Sequence, residues 1–483
     1  MFKVRNLKFV AAFLLPAILL MFVNQELDND SWFVLAEGRY LVENGIHYTD
    51  VLTIHEGMNI VVQNYGFAMI FYLIHNTFGA SGLYIMMLAL NFVICYLLYR
   101  ICMLISNKNT NLSLFIMMLT DFLLILGFVT TRAQMVSYII MLALIYVLEL
   151  YIKTDKSKYL WWLPVISILQ INLHASVWWM LIIIIGVYII DAIHKPKLRL
   201  QGYRMKPLIV VGIVVFLAGF INPYGVKMIT YIFTSYGVPE ISRMVGEMKP
   251  YYIFRSRFEV FVYVALVLTL VLYIFGDSKK VRVRYLLMLF GFLALGLNST
   301  KGLSNLILTM FFPLALIYED VRIEKVFDAT LARNAVMLWT GVVAISVFVA
   351  QFVVLVPRIK DGPADEVIAA VDSIEEESGG DKTVKIYVGY NNGGYVEYRG
   401  YKAYIDPRAE VFLKRNNGKE NILKEWEDMV TKEAVLEEFL DKYGFDYLIA
   451  DRSHEGQMYN MENDNYKLIY DNDESEIRVF KKI

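Results

Sequence analysis

Cysteine is nearly missing from this sequence, which has only two among 483 residues. Cys95 and Cys102 are seven positions apart inside one apolar run, so they are predicted to lie on the same side of one helix. This pattern excludes a disulfide framework, and it includes neither a haem-binding motif nor the ligand spacing of a zinc site. The two cysteines therefore say nothing about an oxidising compartment. The sequence also has no internal repeat and no low-complexity segment.

Charged side chains are scarce as well, at 19% of the residues, whereas 57% of the residues are hydrophobic. Several apolar runs approach or reach the roughly 20 residues that a membrane-spanning helix needs. This composition excludes an ordinary soluble domain and predicts a polytopic membrane protein. The charge is distributed unevenly, because residues 357–483 carry 28 acidic and 18 basic side chains, while residues 1–356 carry 19 acidic and 28 basic ones.

Eleven hydrophobic segments are predicted to span the membrane. The first, from Leu7 to Val23, has basic residues near its start, at positions 3, 5 and 8, as in a signal peptide, but no small-residue cleavage site comes after it. We therefore interpret it as a retained span. The other ten are residues 82–105, 111–130, 134–152, 158–173, 176–193, 206–222, 258–275, 282–298, 302–319 and 334–356.

Residues 60–78 are ambiguous, because they are long enough to span but carry polar residues near both ends. If they lie in the membrane interface, the basic connections at Lys108, 153–158, 195–206, 279–284 and 322–333 fall on the same side as the basic N-terminus. If they span, all these connections move outside. The positive-inside rule thus favours an interfacial amphipathic helix and a cytoplasmic N-terminus. The spacing of apolar residues predicts a second helix of this kind at 31–44.

The same topology places the C-terminal region, residues 357–483, outside the cell. Its pattern predicts a small α/β domain that follows a transmembrane domain of residues 1–356, whose first outer loop is residues 25–81. The predicted elements are helices at 364–377 and 419–441, a glycine-rich turn at 391–394, and strands at 384–389, 401–405, 446–450, 466–470 and 476–481. The predicted fold is therefore mainly α, with about eleven transmembrane helices, interfacial helices in the first outer loop and a small extracytoplasmic α/β domain.

Several polar and charged residues are predicted to gather on the outer face. Cations on this side break the positive-inside trend, and binding of a phosphate or pyrophosphate would explain them. The residues are Asp28, Asp30, Asp50, Arg132, Gln134, Asn172, His174, Asn222, Tyr224, Arg243, Lys249, Arg255, Arg257 and Lys301.

Each of these residues also has a structural interpretation. The arginines at 132, 255 and 257 are of a type that extends to lipid headgroups. Asn172 and Asn222 fit interhelical turns, and His174 fits a structural histidine before a helix. One of Asp28 and Asp30 fits the N-cap of the helix that follows. A cap needs only one carboxylate, so the other remains available for chemistry.

The first loop resembles that of the GT-C glycosyltransferases, polytopic enzymes that take a sugar from a polyprenyl-phosphate carrier. The resemblance is carried by the acidic pair in Asp28-Asn29-Asp30-Ser31-Trp32-Phe33, a helix ending Glu37-Gly38-Arg39-Tyr40, and Thr49-Asp50 beyond it. The whole chain is similar to GT-C-type membrane proteins of Gram-positive bacteria. The landmarks for this wider similarity are Asn-Leu-His-Ala-Ser at 172–176, Asn-Pro-Tyr-Gly at 222–225 and the segment 404–411.

Two departures from the family pattern limit what is carried over. Phe33-Val34-Leu35 stands where many relatives have Trp-His-Leu, so no histidine is assigned a role there. Asp406-Pro407-Arg408 replaces a common Asp-Gly-Arg, which makes a ligand role at that position less secure.

The resemblance implies an inverting transfer of a sugar from a polyprenyl-phosphate carrier to an extracytoplasmic glycan or protein acceptor of the cell envelope. Asp30, with Asp28 as partner or alternate, would be the general base, and Arg132, Arg255, Arg257 and Lys301 would bind the leaving phosphate. Substrate binding is also expected of Asp50, Gln134, Asn172, His174, Asn222 and Tyr224. A divalent cation such as Mg²⁺ or Mn²⁺ is a possible cofactor, although two acids alone do not make a metal site.

Two other classes of function stay open. A transporter or flippase of lipid-linked saccharides would use buried charges for substrate binding, but no duplicated half is visible and the polar residues cluster on one face. A non-catalytic envelope-assembly protein would leave the acidic pair unexplained. The expected partners include membrane lipids and exclude nucleic acid, and the expected location is the plasma membrane.

Overall fold

The computed structural model describes residues 4–23, 27–193, 203–235, 238–248, 257–276, 281–320, 330–356, 359, 362–363, 365–432, 435–461, 463–471 and 476–483. The protein is mainly helical and has one small sheet near its C-terminus. The chain divides into two compact units. The first unit consists of residues 1–25, 84–229 and 245–359, and the second consists of 26–83, 230–244 and 360–483. The predicted first outer loop thus shares a compact unit with the C-terminal region.

The helices before residue 356 follow the predicted hydrophobic segments closely, since most begin and end within a few residues of them. Short 3₁₀ helices lie at Ser157–Trp161, Ala175–Val177 and Gly246–Met248. In chain order the α-helices are α1 (Val4–Val23), α2 (Asn29–Asn44), α3 (Tyr65–Ile105), α4 (Thr110–Ile125), α5 (Gln134–Thr154), α6 (Trp162–Leu173), α7 (Trp179–Ile193), α8 (Met205–Ala218), α9 (Val226–Ser235), α10 (Pro239–Met244), α11 (Arg257–Phe275), α12 (Val283–Asn298), α13 (Thr300–Thr309), α14 (Phe312–Ile317) and α15 (Thr330–Leu355).

Several apolar helices are long enough to cross a membrane, as a membrane protein requires. Among the described residues four helical segments have the length and composition to do so: Tyr65–Ile105, Gln134–Thr154, Ala175–Ile193 and Thr300–Ile317. Six shorter apolar helices accompany them: Lys8–Met21, Thr110–Ile125, Met205–Ala218, Val262–Phe275, Val283–Asn298 and Thr340–Val354. The count of eleven spans and the orientation of the termini stay predictions.

A break inside α3 separates two segments that the sequence also separates. Gly79 has φ +63° and ψ −164°, a backbone conformation that side chains with a Cβ rarely adopt. The part of α3 before Gly79 corresponds to the predicted interfacial helix, although it begins at Tyr65 rather than at residue 60. Its interfacial location stays a prediction.

A buried ion group, which no sequence pattern predicts, joins three helices of the first unit. The Arg284 guanidinium of α12 donates to both carboxylate oxygens of Glu149 on α5, at 2.8 and 3.0 Å, and to Asp191 Oδ2 on α7 at 3.0 Å. The hydroxyls of Tyr188 and Tyr285 also donate to Glu149 Oε1. Arg284 was predicted to belong to a basic loop, but it is buried, and the two carboxylates compensate its charge there.

The second unit contains a five-stranded sheet with the order β2-β1-β3-β5-β4. β1 pairs with β2 and β3 in parallel, while β5 pairs antiparallel with β3 and β4. Of the glycine-rich turn predicted at 391–394, only residues 391–392 form a turn, because helix α17 (Gly393–Tyr398) already begins at Gly393. The strands are β1 (Lys385–Val388), β2 (Lys402–Ala403), β3 (Tyr447–Asp451), β4 (Tyr466–Asp471) and β5 (Ile477–Lys482), and the helices are α16 (Asp365–Ser378), α17 (Gly393–Tyr398), α18 (Lys414–Asn417), α19 (Ile422–Thr431), α20 (Leu436–Tyr443) and α21 (Gly456–Tyr459).

Helix α2 of the first loop packs directly on α17 of the C-terminal region. A Cβ atom on Gly394 would come within 2.8 Å of the Phe33 amide nitrogen, so only glycine permits this approach. Trp32 is buried here, edge-on to Tyr395 with ring centroids 5.3 Å apart. Residues about 360 positions apart in sequence thus form one hydrophobic core.

Candidate functional site

The two aspartates at the start of α2 have different structural roles. Asp28 is the N-cap, and its Oδ1 accepts hydrogen bonds from the Ser31 amide and hydroxyl, both at 3.0 Å. Asp30 lies in the first turn of the helix and is half-buried. Asp28 thus supplies the cap that the sequence predicted for one of the pair.

Asp30 belongs to a group of acidic and phenolic side chains in the second unit. Burial, together with the nearby carboxylates of Asp30 and Glu410, raises the pKa of Tyr390. The Tyr390 hydroxyl donates to the Pro407 carbonyl at 2.7 Å, and the Tyr231 hydroxyl donates to Glu410. We name Asp30, Tyr231, Tyr390 and Glu410 the acidic site. Asp30 and Glu410 are half-buried carboxylates, whose oxygens can accept hydrogen bonds from the hydroxyls of a ligand.

A fully buried group of charges lies in the same unit and joins α2 to the C-terminal region. Arg408 is its centre and donates to Asp406 Oδ1 through Nε at 3.0 Å and to Asp406 Oδ2 through Nη2 at 2.6 Å. Its Nη1 is 3.1 Å from Glu37 Oε2 and 3.0 Å from Asp50 Oδ1. We name the group the buried ion cluster, and its members are Glu37, His47, Asp50, Glu397, Asp406 and Arg408.

The buried ion cluster has more carboxylates than cations. His47 Nε2 lies 2.9 Å from Glu37 Oε1, whereas Glu397 Oε1 is 3.8 Å from the nearest guanidinium nitrogen. Burial and the adjacent Asp406 carboxylate raise the pKa of Glu397 well above its usual range, which favours the protonated form of this side chain. A protonated Glu397 reduces the negative charge that Arg408 must balance.

Asp50 was predicted to bind substrate, and the structure places it in the buried ion cluster. Its Oδ2 accepts hydrogen bonds from the Thr53 amide at 3.0 Å and hydroxyl at 2.6 Å. Burial acts to raise the pKa of Asp50, but Arg408 and the Thr53 hydrogen bonds outweigh burial and leave the pKa below its usual range. Asp50 is therefore an ionised partner of Arg408 in the folded protein, and substrate binding by it stays a prediction.

A second polar group lies in the first unit, where the ends of four helical segments meet. His174 Nδ1 is 2.7 Å from Ser137 Oγ, and His174 Nε2 is 2.9 Å from Ser176 Oγ. Burial and the nearby Lys301 ammonium lower the pKa of His174 to about 3, so its ring is neutral. Gln134 on α5 donates to Ser304 on α13 at 3.2 Å. The structure thus brings together three residues that the sequence predicted for the site, Gln134, His174 and Lys301.

The two predicted asparagines close turns, as their structural interpretation expected. Asn172 Nδ2 donates to the carbonyls of Ile168 at 2.7 Å and Ile221 at 2.9 Å. Asn222 Nδ2 donates to the Gly219 carbonyl at 2.7 Å, and its Oδ1 accepts from the Tyr224 amide at 2.9 Å. These contacts hold the helix connections in place and leave little hydrogen-bonding capacity for a ligand.

The remaining predicted residues differ in their burial and in how much of each side chain the structure describes. Tyr224 is buried, and Arg132 and Lys301 are half-buried. Arg257 begins α11, but its side chain lies outside the described residues, as do Arg255 and Lys249. Arg243 at the end of α10 is exposed, and its guanidinium is 3.7 Å from Glu427 in the second unit.

A preformed metal centre is not found in the part of the chain that the structure describes. No group of three or more His, Cys, Asp or Glu side chains there is arranged to hold a metal ion. Asp28 is engaged as a helix cap, and the carboxylates around Arg408 are paired with a guanidinium. The divalent cation stays a prediction.

Comparison with known proteins does not assign the chain to a family. No protein-family model matches the sequence, and no curated protein matches it. The function must therefore be inferred from the residues themselves.

Proposed function

We propose that this protein is a membrane glycosyltransferase that moves a sugar from a polyprenyl-phosphate carrier to an extracytoplasmic acceptor of the cell envelope. The observation that carries the proposal is that the two aspartates at the start of α2 have different roles. Asp28 caps the helix, and Asp30 is a half-buried carboxylate beside Tyr390 in the acidic site. A carboxylate placed in this way is suited to act as a general base.

In the proposed reaction Asp30 accepts the proton of an acceptor hydroxyl as the hydroxyl oxygen attacks the anomeric carbon of the sugar. The bond from the anomeric carbon to the phosphate oxygen breaks, and the lipid phosphate leaves with the bonding electrons. Attack from the side opposite the leaving group inverts the anomeric configuration. A positioned general base contributes a factor of roughly 10² to 10⁴ to the rate.

The resemblance implies that cations bind the lipid phosphate. Lys301 and Arg132 are the cations that the proposal assigns to it, and Lys301 lies close to His174. His174 is neutral and therefore does not bind the phosphate by charge. In this proposal its hydrogen bonds to Ser137 and Ser176 fix the position of the connection between α6 and α7. Loss of one donor that stabilises a developing negative charge costs roughly 10² to 10³ in rate.

The pair of aspartates provides a matched experiment. Asp30→Asn should reduce transfer of a radiolabelled sugar from a polyprenyl-phosphate donor to cell-wall acceptors by about 10² to 10⁴, because the amide cannot accept the proton. Asp28→Asn should keep most of the activity, since asparagine caps helices as well as aspartate does. Both variants should fold, because each is isosteric with the native residue.

The same assay separates the alternatives. Full activity of Asp30→Asn would refute the assignment of the base. Label that crosses the bilayer of reconstituted vesicles without reaching an acceptor would indicate a transporter, and label that does neither would indicate a non-catalytic protein.

A further inference from the structure

A groove of about 550 Å³ lies in the first unit, where the 3₁₀ helix Ser157–Trp161 meets the start of α8. Its volume falls within the roughly 300–1,000 Å³ that is typical of small-ligand sites. Most of its wall is apolar and is formed by Leu160, Trp161, Met205, Pro207, Val210 and Val211. Its polar lining consists of Ser157, Arg204 and Lys206.

The polar end of the groove is strongly basic. Arg204 is oriented by hydrogen bonds from its guanidinium to Asp155 Oδ1 at 3.2 Å and to the Asp155 carbonyl at 2.9 Å, and Lys206 is exposed. Segments 153–158 and 203–206 together carry five cationic side chains and one carboxylate, that of Asp155. The excess of positive charge selects an anionic ligand.

The apolar part of the groove continues into a surface suited to contact with hydrocarbon. Trp161 and Trp162 expose 62% and 63% of their surface, and Ile213 and Leu217 farther along α8 expose 57% and 58%. Large exposed aromatic residues followed by an apolar helix face are typical of the boundary between lipid headgroups and acyl chains. The cations therefore lie where the headgroup of a bound lipid would be.

We propose that this groove binds one anionic phospholipid, with its phosphate at Arg204 and Lys206 and an acyl chain along Trp161 and Val210. Charge complementarity selects the headgroup, and the exposed apolar wall selects a lipid over a free anion. The predicted topology places this end of the helices on the cytoplasmic side, where bacterial and eukaryotic leaflets both carry anionic lipids. The site does not depend on the proposed transfer reaction.

Lipid binding is measured by native mass spectrometry on the full chain in a neutral detergent. The probes are dioleoyl phosphatidylglycerol, dioleoyl phosphatidylcholine and glycerol phosphate, added separately. Phosphatidylglycerol should bind more tightly than phosphatidylcholine, and Lys206→Gln should weaken it about fivefold, the effect of one cation near an anionic surface. Lys108→Gln is the matched control, because Lys108 is exposed and lies outside the groove.

Three results would overturn the proposal. Equal binding of the two lipids would remove the basis for charge selection. Binding of glycerol phosphate as tightly as phosphatidylglycerol would show that the groove takes a free anion. An equal loss in Lys206→Gln and Lys108→Gln would show that the lipid responds to overall charge and has no specific site.

Discussion

Replacement of Arg408 by methionine tests whether the buried ion cluster stabilises the second unit. Methionine keeps most of the side-chain volume but removes the guanidinium that pairs with Glu37, Asp50 and Asp406. These carboxylates are at most 7% exposed, so water cannot replace the lost partner without rearrangement. Breaking a buried ion pair by removal of one partner costs about 3–5 kcal/mol.

The expected magnitude follows from this free energy. If a backbone amide exchanges its hydrogen only when the second unit opens, each 1.4 kcal/mol of destabilisation accelerates its exchange about tenfold. A loss of about 3–5 kcal/mol therefore accelerates exchange by roughly two to nearly four orders of magnitude. The full-length protein in detergent is suitable, because mass spectrometry reports exchange separately for peptides from β1 and β3.

Arg399 provides a matched control in the same unit. It also pairs with two carboxylates, those of Asp372 and Glu375, but Asp372 is 55% exposed and Glu375 is 37% exposed. Surface ion pairs of this kind contribute about 0–1 kcal/mol, so Arg399→Met should accelerate exchange about fivefold at most. Similar exchange in the two variants would refute the inference that burial makes the Arg408 contacts important.

Acidification should partly restore the stability of the Arg408→Met variant, because protonation of the carboxylates removes their unpaired negative charge.

Two further predictions concern the same unit and use the same exchange measurement, corrected for the intrinsic effect of pH. The pKa of Glu397 is raised in the folded protein. The stability that its proton contributes is therefore fully present below the pKa of the unfolded chain, about 4.3, and is lost as the pH rises through the pKa of the folded protein. Glu397→Gln should therefore abolish this alkaline loss, and an unchanged pH profile would contradict the assignment of the proton. A Cβ on Gly38 would lie 2.1 Å from the Ala68 carbonyl oxygen, so Gly38→Ala should destabilise the unit by about 1–3 kcal/mol. Gly456→Ala is the control and should leave exchange unchanged, because a Cβ there meets nothing within 4 Å. If the two variants exchange at the same rate, the backbone near Gly38 moves to accommodate the Cβ, and the prediction is wrong.

The local elements were predictable from the sequence where local signals determine them. The acidic pair before an amphipathic pattern predicted a helix at 31–44, and α2 runs from Asn29 to Asn44 with Asp28 as its cap. The alternating apolar residues of the C-terminal region predicted β3 and β5 within two residues of their observed ends. The single helix predicted at 419–441 is instead two helices: α19 ends at Thr431, and α20 begins at Leu436.

The buried ion cluster was not predictable, because its members are brought together only by the tertiary fold. Glu37 lies in an amphipathic helix, where a charged residue is expected to face solvent, yet it is 2% exposed. Its partner Arg408 is 371 positions away in the sequence. No pattern within either segment indicates that the first loop and the C-terminal region share a core. The segment Asp406-Pro407-Arg408 is a landmark of the family resemblance, but nothing in its sequence indicates that Arg408 pairs with Glu37.

Helix α2 connects the buried ion cluster to the proposed base. Glu37 is seven residues after Asp30, so the two side chains lie on the same face of the helix, two turns apart. Arg408 binds Glu37, and the segment that contains Arg408 also leads to Glu410 of the acidic site. Because both side chains belong to one helix, rotation of α2 about its axis would displace Asp30 and break the Glu37–Arg408 ion pair together. Under the proposed function, the buried ion cluster therefore fixes the orientation of the helix that carries Asp30.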